Sequence, residues 1–150
     1  GLPDHVPNHE LQGTDARYPL AMISPPARNF LNSSFVNVKS LRTIEGRPLL
    51  EMHPDDAAAR GIADGSTVRV FNDRGSYECH AEVSTRARPG VVNGLGIWWR
   101  KLGLNGTNVN ELTSQHLTDL GRAPVFYDCL VDVSLDPEFA ARQAQKAPHA

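Results

Sequence analysis

The chain has 150 residues, 40% hydrophobic and 21% charged, with a formal net charge of −2. That is enough chain to bury one well-formed core, with no surplus of either charge to mark a nucleic acid or an acidic membrane as partner. No apolar run reaches the roughly 18–20 residues needed to cross a bilayer, and two cysteines are too few to staple a domain of this size.

Residues 1–17 are polar, rich in Pro, His and Asn, and lack periodicity. They read as a flexible arm, or a linker from upstream domains. Gly1 in place of a starting Met suggests an excised fragment or a processed tag, and residues 1–8 show no secretory signal pattern. A short β run over residues 18–23 stops at Ser24-Pro25-Pro26, where two prolines forbid ladder hydrogen bonds. A polar loop over 27–37 follows, with Phe30 and Phe35 as its expected anchors. A short helix or turn over 38–46 and a strand over 49–52 come next.

Residues 50–70 are the most informative stretch. Pro54 suits a first helical position, Asp55 and Asp56 suit the positive end of a helix dipole, and Gly61 supplies a left-handed stop. Ile62 then closes over the core, Asp64-Gly65 turns the chain, and alternation resumes at Val68 and Val70. Strands over 67–71 and 76–84 flank Asn72-Asp73-Arg74-Gly75, a hairpin signal. In the second, Tyr77, Cys79, Ala81 and Val83 share a face to be buried, and Glu78, His80, Glu82 and Ser84 share a wet one. Arg88-Pro89-Gly90 turns into a strand over 91–99, residues 100–122 are irregular, and a last strand over 126–133 precedes a tail over 136–150. Six short strands and two small helices indicate a mainly β fold with short helices, a mixed barrel.

No self-contained active site is legible. Asp55 and Asp56 are neighbours on a helix and do not face each other, so a helix-start role explains them better than an acid/base pair. His53 is either a ligand or base, or more simply a side chain capping that turn. The six histidines are scattered without metal-ligand spacing, and no Gly-x-Ser-x-Gly elbow occurs. Gly94-Leu95-Gly96 lacks the third glycine and the helix of a dinucleotide fingerprint. Of Trp98 and Trp99, adjacent on an expected strand, one belongs in the core and the other is free to cover a flat heterocycle. Cys79 and Cys129 read as buried structural thiols, consistent with a reducing cytoplasm.

Two polar stretches are harder to assign to plain surface. Residues 24–34 pack hydroxyls, amides and Arg28 into a loop stiffened by proline; residues 105–115 repeat that chemistry further along. Long loops in compact domains are usually functional or disordered. Amides and hydroxyls suit a ligand with many hydrogen-bonding edges, and Arg28 suits a phosphate.

The ordered series of a Tyr18-Pro19-Leu20 strand, the polar loop to Ser34, His53-Pro54-Asp55-Asp56, Gly61-Ile62, Asp64-Gly65-Ser66-Thr67-Val68, Arg88-Pro89-Gly90-Val91-Val92, Asn108-Val109-Asn110-Glu111-Leu112-Thr113 and Phe126-Tyr127 carries a resemblance. Over residues 18–133 the chain resembles the C-terminal molybdopterin-dinucleotide-binding domain of dimethyl-sulfoxide-reductase-type molybdenum oxidoreductases. The resemblance implies a double-psi β-barrel spanning residues 18–135. It further implies that the domain caps a bis-(molybdopterin guanine dinucleotide) cofactor, carrying Mo or W, together with upstream domains of the same polypeptide. The parent enzyme would be of the formate-dehydrogenase or nitrate-reductase kind, and the isolated chain would not be catalytic. By position, the resemblance makes Ser24, Arg28, Asn32, Ser33 and Ser34 the first cofactor loop, and Trp99 a bulky border of the site. Asn110, with Gln115 and Asp119 after it, makes the second loop. It assigns no metal ligand to this chain.

Two other readings compete. A free-standing double-psi barrel acting as a protein-interaction module predicts a contiguous apolar groove. An aspartate-decarboxylase-like barrel needs a self-processing Gly-Ser site, and Gly65-Ser66 and Gly75-Ser76 both lie in ordinary turns.

Overall fold

The computed structural model describes residues 4–5, 7–10, 17–136 and 138. Most of the expected tail over 136–150 and most of the expected arm over 1–17 lie outside the described residues. Six strands form where apolar side chains alternate: β1 (Leu20–Ile23), β2 (Leu49–Met52), β3 (Thr67–Asn72), β4 (Gly75–Val83), β5 (Val91–Gly94) and β6 (Cys129–Leu135). They close into a barrel in the order β1-β5-β2-β4-β3-β6. β1 runs parallel to β5, and β2 parallel to β4; the β2–β5, β3–β4, β3–β6 and β1–β6 pairs are antiparallel. Inward-facing Met22, Leu50, Met52, Val68, Val70, Val92 and Val131 are fully buried and fill the barrel. The mainly β barrel with two short helices among the described residues, α1 (Lys39–Glu45) and α2 (Pro54–Ala58), is the fold class the sequence led us to expect.

Helix α2 forms for the local reasons read in its sequence. His53 caps it, its Nδ1 accepting from the Asp55 N–H at 3.2 Å, with Pro54 in the first turn. At the other end Gly61 has φ +63°, the Gly61 N–H donates to Ala58 O at 3.1 Å, and the Ile62 N–H donates to Ala57 O at 2.9 Å. This pair of bonds satisfies the last carbonyls and folds Ile62 onto the core. Asp56 has a further use, since its Oδ2 accepts the Gly90 N–H at 2.7 Å and pins the turn that launches β5.

Four local expectations are corrected. β5 ends at Gly94 rather than continuing to Trp99, because Gly96 takes φ +72° and gives its N–H to Pro25 O at 2.9 Å instead of to a ladder. The last strand starts at Cys129, leaving Phe126 and Tyr127 exposed against each other. Phe30 anchors its loop, whereas Phe35 has φ +73° and points to the surface. Glu78, expected on the wet face of β4, is buried.

Gly94 marks the tightest approach in the barrel wall: a Cβ there would lie 2.8 Å from Tyr77 Oη and 3.2 Å from Val109 Cγ2. Gly94→Ala should therefore cost about 1–3 kcal/mol in urea unfolding, the usual range for overpacking. Adding Tyr77→Phe, which removes the clashing oxygen, should return part of that loss. A double variant no more stable than Gly94→Ala alone would mean the phenol is not what the methyl strikes.

Candidate functional site

The parallel pairing of β1 with β5 decides where the first polar loop goes. Ile23 lies opposite Asn93, so the connections that follow the two strands leave the barrel side by side. Residues 24–34 follow β1 and residues 95–104 follow β5. Between them a small second core forms from Ala27, Phe30, Val36 and Trp98, flanked by Leu41, Trp99 and Leu102. Phe30 and Trp98 meet edge to face at 5.2 Å. Gly96 is obligatory here on two counts, its positive φ and a virtual Cβ only 2.8 Å from Ala27 Cβ.

Trp98 is thus the core tryptophan and Trp99 the half-exposed one, although neither lies on a strand. The Trp99 indole N–H donates to Ser33 O at 2.7 Å, and the Lys101 ammonium sits 5.1 Å from its ring centroid. At the loop tip Leu31 and Ser34 exchange backbone hydrogen bonds of 3.2 and 2.8 Å around Asn32, whose φ is +53°. The same tryptophan-bearing segment also holds the second polar loop. Asn108 Nδ2 donates to Trp98 O at 2.9 Å while its Oδ1 accepts from the Asn110 N–H at 3.0 Å. Arg100 donates to Gly106 O at 3.0 Å and to Glu111 Oε1 at 2.7 Å. Asn110 lies in the resulting 3₁₀ turn, Val109–Glu111.

Ser33 and Trp99 are therefore in contact, and Asn110 joins them through Asn108. Ser24 is half-buried directly after β1; Arg28, Asn32, Ser33, Ser34, Asn110 and Gln115 are exposed. None of their side chains hydrogen-bonds or ion-pairs with another described residue. Asp119 Oδ1 accepts the Leu120 N–H at 2.8 Å within an exposed loop closed by the Leu117–Pro124 bridge. No bond among the described residues ties Gln115 or Asp119 to the tryptophan segment.

Sequence reasoning missed the far side of the second loop. The Leu112 carbonyl accepts from Arg74 Nε at 2.6 Å, Asn72 Nδ2 at 3.0 Å and the Cys129 thiol at 3.3 Å. Arg74 in turn pairs bidentately with Glu10 at 2.7 and 3.1 Å, and Glu10 Oε2 also accepts the Leu130 N–H at 3.1 Å. Burial alone would raise the Glu10 carboxyl, but the Arg74 and Leu130 hydrogen bonds and the Arg74 charge outweigh it and hold its pKa below the ordinary value. Asn108 was recoverable as an N-cap ahead of Val109; Glu10 was not, because one carboxylate in a polar stretch has no pattern.

Among the described residues no helix is long and apolar enough to cross a membrane, and no three His, Cys, Asp or Glu side chains gather as a metal site. The family described as Molydopterin dinucleotide binding domain matches residues 20–130. The chain belongs to that family. Dimethyl sulfoxide reductase DmsA of Escherichia coli (strain K12) is 33% identical over 138 residues, covering 88% of this chain and 17% of the relative. The respiratory nitrate reductase subunit alpha of Haloferax mediterranei is 34% identical over 117 residues, covering 77% and 12%. This Molydopterin dinucleotide binding domain therefore spans less than a fifth of the length of these relatives. Acetylene hydratase from Pelobacter acetylenicus shares the fold, with a TM-score of 0.66 at 16% identity, over 79% of this chain and 18% of that one.

Trp99→Phe keeps a ring but loses the bond to Ser33. It should cost only about 0.5 kcal/mol, because the bond lies at the surface, yet speed amide exchange across residues 31–34. Unchanged exchange there would show that Phe30 alone orders the loop. Glu10 predicts an acid-side effect. Since its folded pKa is depressed, its contribution to stability is complete above its ordinary value of 4.5 and is lost as pH falls through the folded pKa. Glu10→Gln should flatten that part of the stability–pH curve, and an unaltered acid limb would refute the assignment.

Proposed function

We propose that this domain is the cofactor-binding end of a larger molybdenum oxidoreductase. In this reading the two polar loops cap molybdopterin guanine dinucleotide, in the bis form with Mo or W, jointly with upstream domains of the same polypeptide. The observation that carries the reading is the single tryptophan-bearing segment, residues 95–104, hydrogen-bonded to the 24–34 loop through Ser33 and to the 105–111 loop through Asn108 and Arg100. The two parallel ladders, β1/β5 and β2/β4, support a double-psi weave.

The residues fit the group. Arg28 is an exposed cation with no ion pair among the described residues, suited to a pyrophosphate. The side-chain amides of Asn32, Asn110 and Gln115, which make no hydrogen bond to another described residue, suit heterocycle edges. Ser24, Ser33 and Ser34 add hydroxyls, and half-exposed Trp99 offers a flat wall. When bound, the cofactor supplies the redox chemistry; the residues here bind and orient it, and the isolated chain is not catalytic. Exposed Leu117, Leu120, Phe126 and Tyr127 support contact with the upstream domains. The free thiols of Cys79 and Cys129 accord with a cytoplasmic protein.

An NMR titration of the labelled chain with GDP tests the reading. Selective amide shifts are expected at residues 24–34 and 105–119. Arg28→Ala and Asn110→Ala should each weaken binding about tenfold, the cost of roughly one hydrogen bond to a charged or amide partner, with the Arg28 effect shrinking in high salt. If millimolar GDP moves no loop amide, in this chain or in the full-length parent, the two-loop site is wrong.

A further inference from the structure

Glu10 packs on the β3–β4 turn and β6, and His9 on the second polar loop; nothing in the family match, which begins at residue 20, accounts for them. Glu10 is the better fixed of the two, with a side chain only 10% exposed and both oxygens engaged by Arg74. His9 lies beside it, its Nε2 3.0 Å from Ser114 Oγ and its ring stacked on His116 at 4.4 Å. We propose that Glu10 is a positioning residue for the second cofactor loop, acting through Arg74 on the Leu112 carbonyl.

The geometry gives the reason. A guanidinium presents five donors in one rigid plane, so fixing its two terminal nitrogens on a carboxylate also fixes where Nε–H points. In Arg74 that third donor meets Leu112 O at 2.6 Å. The Leu112 side chain is fully buried, so its backbone cannot follow a drifting guanidinium, and the carbonyl is the point where the loop is gripped. Asn72 and Cys129 donate to the same oxygen, but both belong to the barrel strands; Arg74 alone among the three is steered by a residue outside the barrel. The hairpin also leaves no slack beneath the loop, since a Cβ at Gly75 would lie 3.0 Å from Glu111 O. Asn110 sits two residues before the gripped carbonyl. Orientation of its amide therefore depends on a carboxylate a hundred residues earlier in the chain. This inference rests on the proposed cofactor role for its consequence, but the mechanical link from Glu10 to the loop stands on the contacts alone.

The test uses the labelled 150-residue chain in four forms: wild type, Glu10→Gln, Arg74→Lys and the remote core variant Val133→Ala. Native-state amide exchange, urea stability and GDP affinity are measured on each. Glu10→Gln removes the charge and half the fork contact, while Arg74→Lys keeps the charge and loses the planar fork. Both should raise exchange at residues 109–116 about tenfold more than at β3 and β4, the equivalent of one charge-assisted hydrogen bond, and weaken GDP binding several-fold. Val133→Ala should raise exchange throughout without singling out that loop. If Glu10→Gln behaves as Val133→Ala does, or changes no loop amide, Glu10 is merely a stabilising contact and the proposal fails. It fails too if the loop loosens while GDP affinity stays at the wild-type value. If wild type does not bind GDP yet the loop still loosens selectively, the hold of Glu10 on the loop is upheld and the nucleotide-binding reading is what falls.

Discussion

The parallel pairing of β1 with β5 is the constraint on which the site depends. Antiparallel neighbours send their following connections to opposite ends of a sheet; parallel neighbours send both to the same end. Ile23 and Asn93 lie opposite each other, so the proline-stiffened loop and the tryptophan segment start from adjacent points and have to pack together. The small core around Phe30 and Trp98 is the result. Closure of the barrel by β6, which pairs with β1 on one side and β3 on the other, keeps those starting points from spreading. Each of the six described strands thus has a partner strand on both sides.

Above this rigid base the division of labour is plain. The barrel interior is apolar and fixed, while the side chains with free hydrogen-bonding capacity stand on loops that have little regular structure of their own. Their backbones are nevertheless tied down: Ser33 by the Trp99 indole, Asn110 by Asn108, and Leu112 by three donors. Ordered backbone with unengaged side chains is the arrangement that costs least to complete when a ligand arrives, since the loop entropy has already been removed.

What the sequence disclosed follows the range of the interactions involved. Helix α2 and its flanks were legible to the residue, because the His53 cap, Pro54, Gly61 and the Asp64-Gly65 turn act within a few positions of one another. The β3–β4 hairpin was legible for the same reason. The end of β5 was not, because Gly96 leaves the ladder in answer to Pro25 and Ala27, far away in the chain. Phe35 looked like an anchor by residue type, yet its left-handed backbone turns it outward. The site divides along the same line. The residue types of the two polar loops were visible; the segment that joins them, and Glu10 behind them, required the fold.

The two thiols carry a last consequence. Burial pushes Cys79 up to about 12 and raises Cys129 as well, even with Arg74 and Asn72 beside it. Neither sulfur is presented as a thiolate at neutral pH. At that pH the two free cysteines of the described barrel therefore hold out no soft anionic ligand to a metal ion or an electrophile. The two polar loops, residues 24–34 and 105–115, carry only oxygen and nitrogen as polar atoms. Soft sulfur is thus hidden in the barrel while harder donors are turned outward, so whatever reaches the loops meets oxygen and nitrogen alone.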